Sequence, residues 1–218
     1  MSVKVEVWGD YACFSRPELK TERMSYDVMT PSAARGLLEA IYWHPGLRWV
    51  IDRIYVMQPI RFTGIRRNEV KSKISADNVR SAMSGGKQEV YLCTSEDIQQ
   101  RAATVLQDVR YVIEAHFVMT DQAAPSDNAG KFCDIMRRRL EKGQCYHQPC
   151  FGVREFPAQF RLWPGGEIPT TGETRDMGLM LYDMDYSDLR NITPMFFRAA
   201  LENGVLNVPA PKSPEVLR

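Results

Sequence analysis

The sequence predicts an α+β fold: a ferredoxin-like (RRM-like) N-terminal domain followed by a small antiparallel β domain. Three observations predict it. The first half reads strand, helix, strand, strand and then a hairpin, an order that stacks helices on one side of a sheet. A polar break from Asp121 to Gly130 divides the chain. Beyond the break one helix precedes a series of strand patterns. The expected domains are therefore 1–120 and 121–218.

Each element has a local reason. Val3, Val5 and Val7 alternate with Lys4, Glu6 and Trp8, the period of a half-buried strand. A polar loop with Arg16-Pro17 and Lys20 to Arg23 follows. Thr30 can cap a helix and Pro31 suits its first position, so a helix is expected from Ser32 to about Tyr42. Leu37, Leu38 and Ile41 form its apolar face, and Pro45-Gly46 stop it. Arg48 to Met57 is rich in β-branched and aromatic residues and reads as a central strand, with Ile60 to Ile65 continuing the sheet. Arg66 to Lys87 is polar, basic and ends in Ser84-Gly85-Gly86, which reads as a long mobile loop. Glu89 to Thr94 reads as a short strand. Ala102 to Leu106 and Arg110 to Met119 read as a hairpin joined at Gln107-Asp108. After the break, a helix from about Lys131 to Lys142 stops at Gly143. Strands are expected over Phe151 to Leu162, Leu179 to Asp185, and Phe196 to Val208, the last turning at Glu202-Asn203-Gly204.

Composition narrows the class. The chain has 218 residues, 44% hydrophobic and 25% charged, the balance of an ordinary globular protein. No basic region followed by an apolar run opens the sequence, and no stretch reaches the ~18 apolar residues of a membrane span. A cytoplasmic protein with no membrane partner is expected. Five cysteines at irregular spacing read as reduced thiols. Cys145, His147 and Cys150 lack the second pair that a zinc site needs, so no metal and no cofactor is expected. Net charge is +1, but it is unevenly spread. Arg61, Arg66, Arg67, Lys71 and Lys73 cluster against Glu69 alone, and Arg137 to Arg139 are consecutive. Such clusters fit either a phosphate footprint or a solvated face.

The sequence has no Ser/His/Asp signature, P-loop or HExxH motif, and no dense carboxylate cluster suited to paired metals. Its three histidines can be weighed singly. His116 lies on a strand whose alternation puts Tyr111, Ile113, Ala115, Phe117 and Met119 on one face. Val112, Glu114, His116 and Val118 share the other, so His116 is either an idle half-exposed residue or a proton carrier. His44 follows the first helix, whose C-terminal dipole favours its charged form. His147 sits in a polar loop. Trp43 is expected to pack, and Tyr42 to pack or to present its hydroxyl in a cleft. If the chain cuts RNA, the 2′-hydroxyl can serve as nucleophile; the protein then supplies a base, an acid and donors for the phosphate charge.

The strings themselves carry further information. Trp8-Gly9-Asp10-Tyr11-Ala12-Cys13-Phe14, Ser25 to Gly36, Glu39-Ala40-Ile41-Tyr42-Trp43, Pro59-Ile60 and Arg66-Arg67-Asn68-Glu69 occur in order. Glu114-Ala115-His116-Phe117, Asp127 to Lys131, Arg154-Glu155-Phe156 and Glu202-Asn203-Gly204-Val205 follow. Together they resemble the processing endoribonuclease of CRISPR subtype I-C (the Dvulg subtype), in the RAMP group of RNA-binding proteins. The resemblance covers almost the whole chain. It implies a ferredoxin-like domain and a smaller β domain. It also implies metal-independent cleavage of CRISPR repeat RNA, giving 2′,3′-cyclic phosphate and 5′-hydroxyl ends, with the 5′ handle retained in a Cascade-type complex. The implied partners are repeat RNA, the guide RNA made from it, and other Cascade subunits.

The resemblance implies a tyrosine, lysine and histidine site. Tyr42 and His116 match the first and last, as catalytic residues in proton-transfer or positioning roles. The lysine has no match, because Glu114 and Ala115 precede His116. Lys131, Lys20, Arg23 or a protonated His44 are the candidate substitutes. Arg66, Arg67, Lys71 and Lys73 are expected to grip phosphates, with Lys20 and Arg23 lining the same cleft. Two rival readings stand beside this one: a non-catalytic RNA-binding subunit, and a broader nucleic-acid binder that takes duplex DNA.

Overall fold

The alternating valines build β1 (Ser2–Ala12), with Val5 and Val7 fully buried. The structure is a computed structural model that describes residues 2–19, 21–87 and 89–218. A short strand, β2 (Arg23–Met24), leads to α1 (Pro31–Ile41). The cap is as expected: the Thr30 hydroxyl accepts from the Ala33 N–H at 3.2 Å, and Pro31 opens the helix where an N–H would be unpaired anyway. Then come β3 (Leu47–Val56), β4 (Phe62–Val70), α2 (Ala76–Met83) and β5 (Ile98–Met119). α3 (Ala129–Lys142) ends at Gly143, whose φ of 63° suits glycine. The chain closes with β6 (Gln159–Leu162), β7 (Arg175–Asp185), β8 (Thr193–Glu202) and β9 (Val205–Asn207). Asn203 and Gly204 join the last two with φ of 52° and 76°, the turn that Asn-Gly signals.

Among the described residues, nine strands share one sheet, ordered β6-β1-β5-β3-β9-β8-β7, with β2 and β4 also paired to β5. All pairings are antiparallel except β2 with β5. The class is thus α+β, mostly antiparallel sheet with three helices among the described residues. α1 and α3 cover one face. Phe132 of α3 packs on Tyr42 and Phe117 with ring centres 6.2 and 5.9 Å away, and Phe117 packs on Trp49 at 5.6 Å. Leu37, Leu38, Ile41, Ile54, Ile113 and Phe132 are almost wholly buried there. Each such side chain contributes about 1.5–3 kcal/mol of burial. No helix among the described residues is long and apolar enough to cross a membrane.

The structure corrects several expectations. The hairpin expected over Ala102 to Met119 is instead part of one continuous strand, β5, of 22 residues. β4 covers its first half and β3 its second, while β1 pairs across the joint from Leu106 to His116. The turn signal survives only as Asp108 at φ 52°, held in register by Gly9↔Val109 and Tyr11↔Gln107. The long loop over Arg66 to Lys87 is also wrong. Arg66 to Val70 finish β4, paired from Arg66↔Ala102 to Val70↔Ile98, and Ala76–Met83 form a helix with no buried residue. Glu89 to Thr94 is irregular. Of Phe151 to Leu162 only Gln159–Leu162 is strand. The rest is a tight loop closed by the Phe151 N–H donating to the Phe156 carbonyl at 2.8 Å. Gly152 makes that loop possible: at φ 83° any Cβ would sit 2.0 Å from the Cys13 carbonyl oxygen.

Candidate functional site

The face of the sheet away from α1 and α3 mixes valines such as Val50 and Val118 with charged side chains, and the alternation of β5 puts His116 there. Phe117 turns to the helices, so His116 turns away from them, as the sequence predicts. Opposite it, β3 slips register between Ile51 and Arg53. Such a bulge turns two successive side chains to nearly the same side. Asp52 and Arg53 both flank the His116 pocket. Both carboxylate oxygens of Asp52 lie 2.9 Å from His116 Nδ1. With Nδ1 held by a carboxylate, Nε2 is the nitrogen left for a substrate.

A charged cluster continues along the same face. Tyr55 donates its hydroxyl to Glu114 Oε2 at 2.7 Å, and Lys4 and Arg53 approach that carboxylate at 3.9 and 3.7 Å. Burial, then the bond to Glu114, raises the Tyr55 hydroxyl above its ordinary range. A pocket of about 660 Å³ opens over His116, bordered by Arg48, Arg53, Lys212, Asp52 and Glu114. Further along, the buried Glu6 carboxylate accepts from Arg110 and, at 2.5 Å, from Arg161.

Tyr42 lies elsewhere. It ends α1 with its N–H donating to the Leu38 carbonyl at 2.8 Å, and its residue is 5% exposed. Its ring packs on Phe132, and the Arg139 guanidinium sits 5.0 Å over it while donating to the Ile41 carbonyl. Burial raises its hydroxyl above the usual tyrosine range, with Arg139 opposing. Tyr42 therefore belongs to the helix-covered face and His116 to the open one; the sheet separates them. The expectation for Trp43 is reversed, because it is 57% exposed beside its buried neighbour. It borders a cleft of about 740 Å³ between α1 and β7, together with Arg48, Tyr182 and Tyr186.

His44 and Lys131 gather near Tyr42. His44 stacks on Phe132 at 4.9 Å, accepts from the Gly46 N–H at its Nδ1, and stands 3.9 Å from Asp127. Lys131 donates to Asp127 at 2.7 Å and holds that carboxyl below its usual range. The remaining cations form a third group around β4. Arg23 pairs with Glu69 at 3.1 Å, and Arg67 pairs with Glu155 at 2.7 Å while lying 5.2 Å over the Phe156 ring. Arg66, Lys71 and Lys73 are exposed. Lys20 lies outside the described residues. Cys145, His147 and Cys150 build no metal cage: among the described residues no three His, Cys, Asp or Glu side chains gather as one.

Sequence reasoning missed Asp52, Arg53 and Arg48. The only available signal was a charged pair, Asp52-Arg53, inside the otherwise apolar and aromatic run from Trp49 to Val56.

The family model for the CRISPR-associated protein Cas5, Cas5d type, matches residues 2–209. The chain is 52% identical over 223 residues to the CRISPR pre-crRNA endoribonuclease Cas5d of Mannheimia succiniciproducens, covering 99% of this chain and 98% of that one. It is 40% identical over 233 residues to the protein of the same name from Thermus thermophilus, covering 99% and 95%. A crystal structure of a CRISPR-associated protein shares the fold, with a TM-score of 0.70 at 22% identity over 100% of this chain and 97% of the other. By these matches the chain belongs to the Cas5 family of CRISPR-associated proteins, in its Cas5d branch.

Proposed function

We propose that this chain is an endoribonuclease that cuts CRISPR repeat RNA and then keeps the 5′ handle of the guide RNA as a cytoplasmic Cascade subunit. One observation carries the reading. A carboxylate-paired histidine sits under an open, cation-bordered pocket, in a chain 52% identical along its length to an enzyme of that name. In the reaction the 2′-oxygen bonds to phosphorus as the bond from phosphorus to the 5′-oxygen breaks. A base takes the 2′-hydroxyl proton and an acid gives one to the 5′-oxygen. His116 Nε2 performs one of those transfers. Arg48, Arg53 and Lys212 border the space where the phosphate charge would develop, the donors that such a transition state requires.

Of the two roles open to Tyr42, the reading takes positioning. The ring is buried and its carbonyl accepts from the Trp49 indole at 3.0 Å, so it fixes the corner between α1 and β3. Arg66, Lys71 and Lys73 supply exposed charge for the RNA backbone, and Arg23, Arg67, His44 and Lys131 add to it after exchanging their carboxylate or stacking partners. Lys20 is kept in the same group on its sequence alone. Assembly into a complex is supported by the apolar side chains of Val79 and Met83, one turn apart on α2 and both exposed.

The ferredoxin-like reading also belongs here. The order β6-β1-β5-β3, with α1 and α3 on one face, is the arrangement a βαββαβ unit produces. On that reading the first unit extends to Leu162 rather than ending at residue 120, and β7, β8 and β9 form the second.

A non-catalytic RNA-binding subunit remains the rival, favoured by the separation of Tyr42 from His116 across the sheet. Incubation of purified protein with its repeat RNA in excess EDTA, beside the His116→Ala variant, decides. Discrete cleavage by the wild type alone supports the enzyme. A gel shift without cleavage by the wild type supports the rival, and equal cleavage by both removes His116 from the chemistry.

A further inference from the structure

We propose that Asp52 is the positioning residue of the cleavage reaction, acting on RNA only through His116. The inference rests on the reading of His116 given above. Its basis is the β3 bulge, which turns Asp52 and Arg53 to one side and brings both Asp52 oxygens to 2.9 Å from Nδ1. The Val208 N–H donates to the Asp52 carbonyl at 3.0 Å and pins the bulged backbone from the far side.

The pair is not a device for satisfying buried charge. The His116 and Asp52 side chains are 36% and 34% exposed, so water could serve both groups separately. What the contact adds is orientation. A carboxylate accepting from Nδ1–H selects that tautomer, fixes the ring plane and stabilises the imidazolium formed when Nε2 takes a proton. Nε2 is then the free nitrogen of a ring that lines one pocket with Arg48, Arg53 and Lys212. A mobile imidazole would spend most of its time out of line with the scissile bond.

The test uses Asp52→Asn, Asp52→Glu and His116→Ala in the full-length protein, with single-turnover cleavage of repeat RNA across RNA concentrations. Asp52→Asn is expected to lower the maximal rate constant about tenfold to a hundredfold, with the half-saturating RNA concentration unchanged within about twofold. Asp52→Glu is expected to recover much of the rate. Nitrogen-15 shifts of His116 are expected to report protonated Nδ1 in the wild type and a tautomer mixture in Asp52→Asn. The proposal is overturned if His116→Ala is inactive while Asp52→Asn cuts at the wild-type rate. A change confined to half-saturation, or an unchanged His116 spectrum, overturns it equally. If Asp52→Asn does not fold, the Asp52→Glu rate and spectrum decide alone. Wild-type cleavage by His116→Ala instead defeats the underlying reading of the site, a different result.

Discussion

Arg35 of α1 forks both oxygens of Asp183 of β7, at 2.7 and 2.8 Å, and so ties the first helix to a C-terminal strand. A third bond reaches Glu39 one turn along, at 2.7 Å. Burial opposes the charge, but the bonds and fields of Asp183 and Glu39 outweigh it and raise the Arg35 pKa further. The two partners are mostly shielded, with side-chain exposures of 23% and 20%.

Arg35→Ala is therefore expected to lower stability by about 2 kcal/mol, the scale of charge-assisted bonds lost at a partly buried site. Arg35→Lys keeps the charge without the fork and should fall between the two. Urea unfolding midpoints check both, and a double-mutant cycle with Asp183→Ala should show coupling between the residues.

Glu6 gives an acid-sensitive contribution. Burial pushes its carboxyl up, but hydrogen bonds from Arg161 and Arg110, then their charges, outweigh this and leave the folded pKa lowered. A lowered folded pKa means the contribution is complete above the unfolded value of about 4.3. It is lost as pH falls through the folded one. Glu6→Gln should reduce stability at pH 7 and flatten its decline below about pH 4. Thermal unfolding across pH 2.5 to 7, with wild type in parallel, measures the difference.

The neighbours Tyr42 and Trp43 should behave oppositely. Tyr42→Ala removes a buried ring from Phe132 and Arg139, and an aromatic truncation of this kind costs about 3 kcal/mol. Tyr42→Phe keeps the ring, and cleavage within about threefold of wild type is expected if the residue only positions. Trp43→Ala should shift stability by less than about 0.5 kcal/mol. Melting curves and cleavage rates of the three variants separate these outcomes.

The exposed cations of β4 and the segment after it make a salt prediction. Lys71→Ala and Lys73→Ala should each weaken RNA binding without altering sequence preference. Each phosphate contact removed reduces the slope of log affinity against log salt by about 0.7 for a single strand. A slope unchanged in the double variant would remove these lysines from the interface.

What could be read from the sequence was what neighbours in the chain decide. Thr30-Pro31 opens α1, Gly143 closes α3, and Asn203-Gly204 turns β8 into β9, each through local backbone chemistry. The failures were decided by distant partners. Gln107-Asp108 looks like a turn, yet β1 lies across it and keeps the strand going. Arg66 to Val70 looks like loop, yet β5 offers a full ladder of hydrogen bonds. The same limit applied at the candidate site. Alternation placed His116 on the right face, but its partner Asp52 arrives through a slip of register between two strands, which no stretch of β3 alone encodes. Trp43 was expected to pack and does not, and the choice left open for Tyr42 falls to packing, because a helix end does not announce which of two adjacent rings α3 will cover.

The central position of β5 also bears on how the chain leaves the ribosome. β1 is made first, yet its partners on both sides, β5 and β6, are made last among the strands it needs; Val5 waits for Ile113 and then for Leu162. At roughly 5–20 residues per second, the first strand spends several seconds with both edges unpaired. Its backbone edges stay open throughout that interval, in a form suited to pairing with a neighbouring nascent chain. Yield of this protein in cells should accordingly depend on translation speed and on holdase chaperones.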